Sequence, residues 1–239
     1  MTELLFRDDA YLREADAVVL GHTAEGALIV DRSVFYATAG GQPGDSGYVV
    51  WPGGRMAIAT ATKLEGGAVG LVPGEAVAMP PPGTRLRQVL DWERRYRHMR
   101  MHTALHLLSV VIALPVTGGQ IGADRGRLDF DMPDPPDDVA ALDETLNALI
   151  GRDLPVTETW ITDAELLANP GLVKTLSVMP PIGQGRVRLV RIGQGAGQVD
   201  LQPCGGTHVG RTGEIGRVEI GRIEKKGRQN RRVSISLMA

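Results

Sequence analysis

Up to about residue 90 the apolar positions come in short runs, Ala17-Val18-Val19-Leu20, Ala27-Leu28-Ile29-Val30 and Tyr48-Val49-Val50-Trp51, punctuated by Gly, Pro and Asp. Short apolar runs with turn residues between them predict short strands that close into a small β-barrel or sandwich. Met79-Pro80-Pro81-Pro82-Gly83 breaks any regular element, and a three-proline stretch is a stiff connector. A domain boundary is expected near it, with a β-barrel domain over residues 1–88 and a second domain over 89–239. Beyond it the period changes. Met101, Leu105, Leu108 and Ile112 recur at helical spacing, which predicts a helix over 91–114 with Asp91 as its N-cap and Pro115 as its stop. A weaker helix is expected over 137–151, with Val139, Leu142, Leu146 and Leu149 on one face. Strands are expected over 156–161, 186–192, 199–201, 216–223 and 231–238, where Val233, Ile235 and Leu237 alternate as on a half-buried strand. The expected fold class is α+β: a small N-terminal β-barrel followed by an α+β domain.

The chain has 239 residues, 43% of them hydrophobic, which is enough to bury a sizeable core. Its longest apolar run, 105–116, is interrupted by His106, Ser109 and Pro115 and falls short of the ~20 residues a membrane helix needs. Residues 1–14 carry Glu3, Asp8 and Asp9 and lack a signal pattern, and the single cysteine cannot form an internal disulfide. A cytoplasmic protein with no membrane and no disulfide partner is the expectation. The formal net charge of −2 conceals an uneven distribution. Residues 85–100 carry six Arg against two acids, 211–239 carry eight Lys and Arg against three acids, and 124–165 reverse the balance with twelve acids against three Arg. Clustering rather than net charge sets the local field, so the basic segments are candidate faces for a polyanion, against the plainer reading of solvated surface.

Four of the five histidines and the only cysteine fall in two groups. His98, His102 and His106 stand four residues apart and project from one helix face. Pro203-Cys204-Gly205-Gly206-Thr207-His208 offers two more ligand types four apart, in a loop whose glycines permit tight backbone turns. Nitrogen and thiolate ligands together favour zinc, although spacing allows His98/His102 as readily as His102/His106. A HExxH metalloprotease is disfavoured, because Thr103 stands where the general-base Glu belongs. The third feature is glycine-rich, residues 35–47. It matches neither a P-loop nor a dinucleotide fingerprint, and by itself it reads as a tight β turn.

His102-Thr103-Ala104-Leu105-His106, followed by Leu107-Leu108, with Cys204-Gly205-Gly206-Thr207-His208 further along, resembles the editing domain of alanyl-tRNA synthetase and its free-standing AlaX-type relatives. Residues 35–47 look like that family's glycine-rich motif, and Gly126-Arg127-Leu128-Asp129-Phe130 and Asn230-Arg231-Arg232-Val233 also match. The length leaves no room for a synthetase's other domains, so the medium-length free-standing form is implied. The resemblance implies one zinc ion held by His102, His106, Cys204 and His208, and hydrolysis of the ester joining serine, and glycine with it, to alanine-specific tRNA. It implies substrate discrimination by Thr38, Gly40, Gly41 and Gln42, although Thr38 stands where an acidic residue is common and Ala39 where Gly or Ser is expected. Thr103, Gln120 and Thr207 are candidate pocket groups, with no general base identified. Arg94, Arg95, Arg97, Arg222, Lys225, Lys226, Arg228, Arg231 and Arg232 are candidate contacts to acceptor-stem phosphates. The competing expectation is a non-catalytic RNA-binding module whose four ligands close a structural zinc site.

Overall fold

The computed structural model describes residues 1–175 and 185–238. They form two compact units, residues 1–97 and 98–239. In the first, β1 (Glu14–His22), β2 (Leu28–Val30), β3 (Gly47–Trp51), β4 (Gly54–Lys63), β5 (Val69–Pro73) and β6 (Arg85–Leu90) form a closed barrel. The strand order is β1-β2-β5-β4-β3-β6, and every pairing is antiparallel. Closure leaves no unpaired edge. The interior is filled by inward-facing side chains, among them Leu28, Val30, Val49, Met56, Ile58 and Leu71. The proline segment 79–83 precedes the barrel's last strand, so Arg85–Leu90 completes the barrel instead of opening the next unit.

The glycine-rich stretch is held to the first turn of the helix that follows the barrel by a buried ion pair. Asp45, 1% exposed in its side chain, is met by Arg95, 0% exposed, whose Nε lies 3.0 and 2.9 Å from the two carboxylate oxygens. Arg95 also donates to the carbonyls of Val34 (2.7 Å) and Ala10 (3.0 Å), and the Tyr36 N–H donates to Asp45 at 2.6 Å. Gly44 is required by close approach, since a Cβ there would sit 2.1 Å from the Ala61 carbonyl oxygen. The Ala39 and Gln42 backbones exchange both hydrogen bonds, leaving Gly40 (φ 56°) and Gly41 (φ 82°) as the two turn residues. Two successive positive-φ positions are what a tight hairpin turn needs and what glycine provides at no steric cost.

Helix α1 (Trp92–Val111) begins as expected, with the Arg94 N–H donating to Asp91 at 3.2 Å, and ends before Pro115. The expected single apolar stripe is too narrow a description, because every residue from 101 to 109 is buried. The second unit contains α2 (Val139–Gly151), capped by Asp138, and two antiparallel sheets. The larger joins β12 (Val218–Ile220), β14 (Asn230–Leu237), β8 (Arg125–Asp131) and β7 (Val116–Gln120) in that order, with β13 (Glu224–Lys226) also on β14. The smaller joins β9 (Val156–Thr162), β10 (Arg186–Ile192) and β11 (Asp200–Pro203). Gly126 on β8 lets α1 lie close, for a Cβ there would meet Met101 Sδ at 2.6 Å. The two motifs 126–130 and 230–233 are partners in β8 and β14, where Asp129 faces Arg232 and accepts from its Nε (2.7 Å) and Nη2 (2.9 Å). The fold class is the expected α+β with an N-terminal barrel.

Candidate metal centre

His102 and His106 lie one turn apart on α1, and Cys204 and His208 in the loop that leaves β11. The loop is held in place by Arg188 of β10. Its Nη1 donates to the carbonyls of Cys204 and Gly206, each at 2.9 Å, the Cys204 N–H returns a bond to the Arg188 carbonyl at 3.1 Å, and Glu158 pairs with the guanidinium. Neither Gly205 nor Gly206 has a positive φ, so the loop does not use the backbone freedom expected of its glycines. One ligand atom from each of His102, His106, Cys204 and His208 lies within 4.8 Å of the others. Cys204 Sγ is 3.2 Å from His208 Nε2 and 3.5 Å from His102 Nε2. Tetrahedral bonds of about 2.1 Å to nitrogen and 2.3 Å to sulfur place ligand atoms roughly 3.4–3.6 Å apart. The two separations from Cys204 are close to those of a tetrahedral ion, the full set could hold one, and His₃Cys donors suit a borderline-soft metal.

The electrostatics treat the four side chains differently. Burial raises the Cys204 pKa, but the neighbouring His102 and His208 outweigh it and hold the thiol well below its ordinary value, toward the thiolate that binds metal. Burial, with His102 beside it, pushes His208 down to about 3, so its ring is neutral. Burial also disfavours the charged form of His106, yet its bonds to Asp200 and Cys204 overcome this and raise it to about 9. Asp200 is desolvated but held at about 2 by His106 and Lys174. Asp200, Gln202 and Lys174 escaped sequence reasoning. Asp200 Oδ2 lies 3.0 Å from His106 Nδ1 and accepts from Gln202 Nε2 at 2.8 Å, while Oδ1 accepts from Lys174 Nζ at 2.6 Å. The available signal was alternation, since residues 200 and 202 lie on the same face of the strand leading into Cys204.

The other expected residues divide by exposure. Thr103 and Thr207 are fully buried, so neither hydroxyl faces an open pocket, and Gln120 is exposed at the end of β7, where Arg127 Nε donates to it at 3.2 Å. In the barrel unit Thr38, Gly40 and Gly41 are exposed and Gln42 is buried. Thr38 Oγ1 is engaged locally, donating to the Ala61 carbonyl at 3.2 Å and accepting from the Gly44 N–H at 2.8 Å. Among the basic residues, Arg97, Arg222, Lys225, Lys226 and Arg228 are exposed. Arg95 is corrected from a phosphate contact to an interior residue bound to Asp45. Arg231 is 9% exposed and donates to the Pro133 carbonyl, and Arg232, 24% exposed in its side chain, pairs with Asp129. Arg94 is half-buried and donates to the Gly44 carbonyl at 2.8 Å.

The fold and the site define a protein with a closed antiparallel barrel and an α+β unit whose His₃Cys cluster could hold a metal ion. Residues 187–234 match the family model described as the threonyl and alanyl tRNA synthetase second additional domain. The chain is 35% identical to the alanyl-tRNA editing protein AlaX-M of Methanosarcina acetivorans over 248 aligned positions, and 34% identical to that of Methanosarcina barkeri over 249, with the whole of each chain covered. It is also 34% identical to an alanine–tRNA ligase of Pyrobaculum arsenaticum over 233 positions, which cover 94% of this chain and 25% of the ligase. The chain belongs to the alanyl-tRNA editing protein family. Among the described residues no helix is long and apolar enough to cross a membrane.

Proposed function

We propose that the protein is a trans-editing hydrolase that deacylates alanine-specific tRNA charged with the wrong amino acid, serine foremost and glycine as well, in the cytoplasm. The observation that carries the reading is the end-to-end match to alanyl-tRNA editing proteins. The four-residue cluster supports it by supplying a complete donor set for one zinc ion. Bound by His102, His106, Cys204 and His208, zinc would supply a Lewis acid that polarises an ester carbonyl. The chain's own part is to bring a Cys204 disposed toward the thiolate and three imidazoles together in one place. Serine carries a hydroxyl that alanine lacks. A site that hydrogen-bonds that hydroxyl discriminates against the analogue without it far better than a pocket can reject an extra methylene. We assign the discriminating element to residues 38–42, on which Thr38, Gly40 and Gly41 are exposed.

The acceptor stem would be met by the exposed cations Arg222, Lys225, Lys226 and Arg228 of the C-terminal hairpin, with Arg94 and Arg97 as further contacts. Phosphate binding of this kind gives affinity that falls with salt. Release of labelled amino acid from seryl-, glycyl- and alanyl-tRNA of the alanine type, in zinc-replete buffer, tests the reading. Fast loss of serine with alanine spared is expected, and seryl-tRNA that stays intact overturns it. One observation favours the second reading, a non-catalytic RNA-binding module: four protein ligands from one cluster complete a tetrahedral shell, the pattern of a structural ion.

A further inference from the structure

Thr103 stands between His102 and His106 of α1, yet its side chain turns to a different task. Its hydroxyl carries one proton and sits 2.9 Å from the Met99 carbonyl oxygen, a contact that only an O–H donor can make. The same oxygen lies 3.2 Å from His208 Nδ1 and 3.3 Å from the Val209 N–H. With its proton committed to Met99, the oxygen can only accept from those two neighbours, so the proton of a neutral His208 ring sits on Nδ1. Nε2 is then a bare lone pair, and it is the atom that lies 3.2 Å from Cys204 Sγ. On the other side of the cluster His106 Nδ1 meets Asp200, a carboxylate that at neutral pH can only accept, so His106 also turns its Nε2 inward.

From this geometry we propose that Thr103 is a positioning residue that fixes the tautomer and ring orientation of His208, while Asp200 holds the ring of His106. The inference rests on the reading of His102, His106, Cys204 and His208 as a metal site. Without the hydroxyl, the His208 proton is free to move to Nε2 and block the lone pair, and the ring can rotate about its side-chain bonds. Supports of this kind behind a metal-bound histidine are worth about 10–100-fold in metal affinity.

The test compares the wild-type protein with T103V, which keeps the shape and removes only the hydroxyl, and with T103S, which restores it. Zinc affinity is measured by competition with a chromophoric chelator, and thermal unfolding of the metal-free proteins reports folding separately. T103V is expected to bind zinc about 10–100-fold more weakly. T103S is expected to return to within a few-fold of wild type, and ¹⁵N-histidine spectra of the zinc-loaded wild type are expected to show His208 protonated at Nδ1. Wild-type zinc affinity in T103V, or a His208 protonated at Nε2, overturns the inference and leaves the metal site standing. A wild-type protein that takes up no zinc overturns both. A T103V that fails to fold leaves the tautomer measurement on wild type to decide.

Discussion

Replacing Asp45 by Ala removes the carboxylate from an ion pair whose two side chains are 1% and 0% exposed. Arg95 retains its bonds to the Val34 and Ala10 carbonyls, which satisfy donors but leave the charge uncompensated in the interior. The Tyr36 N–H loses its acceptor at the same time. Removing one partner of a buried pair costs about 3–5 kcal/mol, because the remaining charge is desolvated without return. For a chain of this size, where 1 kcal/mol moves the midpoint by about 2–4 °C, the barrel unit should melt on the order of 6–20 °C lower. The assay is urea and thermal unfolding followed by tryptophan fluorescence in a W160F background. Trp51 and Trp92, the remaining tryptophans, both lie in residues 1–97. A cycle with R95M and D45A/R95M isolates the pair. The double variant should be several kcal/mol less destabilised than the sum of the single ones, since replacing both charges by apolar groups removes the orphan. A D45A protein within about 1 kcal/mol of wild type, or additive effects, would refute the assignment of Asp45 and Arg95 as the internal anchor of the glycine-rich stretch.

Cys204→Ala should abolish tight zinc binding and seryl-tRNA hydrolysis while the far-ultraviolet spectrum is retained; loss of the whole fold with the metal would instead support the structural-site reading. Charge reversal in K225E/K226E should weaken tRNA binding and flatten its dependence on salt, measured by filter binding between low and moderate salt, and unchanged affinity across the series would remove the hairpin from the RNA face. Gly44→Ala should destabilise the barrel by about 1–3 kcal/mol or more, because the added methyl meets the backbone oxygen of Ala61 and not a flexible side chain, and a neutral result in denaturant titration would contradict that packing. Asp129 is held below its ordinary pKa chiefly by Arg232, with Arg127 assisting against burial. Its folded-state value is therefore lower than its unfolded one, and the stability it contributes is present above about pH 4 and lost as pH falls through the folded value. The stability difference between wild type and D129N should be constant at neutral pH and shrink below about pH 4; a difference that grows with acid would reverse the sign of the argument.

Wherever a local pattern had one solution, the element was legible in advance. The 186–192 run carries Val187, Leu189, Val190 and Ile192 among three arginines, a strand-like composition, and Asp91 marks a helix start because its side chain satisfies an N–H group that every helix leaves open. The i, i+4 repeat of His102 and His106 and the Cys204-to-His208 spacing pointed to metal chemistry by residue type alone. What those spacings left open, between His98 and His106, depended on contacts about a hundred residues apart in the chain.

The charged residues show the limit most clearly. Arg95 and Arg231 read as part of a nucleic-acid face because sequence reveals charge but not burial; the structure places Arg95 against Asp45 and Arg231 against the Pro133 carbonyl, fifty and about a hundred residues away. Thr103, read as a pocket hydroxyl, lies buried with its hydroxyl 3.2 Å from His208, and Asp200, silent in the sequence, lies 3.0 Å from His106. The sequence by itself determined the α+β class, the barrel, the long helix and the residue types of the candidate metal cluster, since periodicity, caps and ligand chemistry act over a few residues. Only the tertiary structure decided which charges are interior and which hydrogen-bond partner each imidazole has, because both depend on segments distant in sequence being brought within 3 Å of one another.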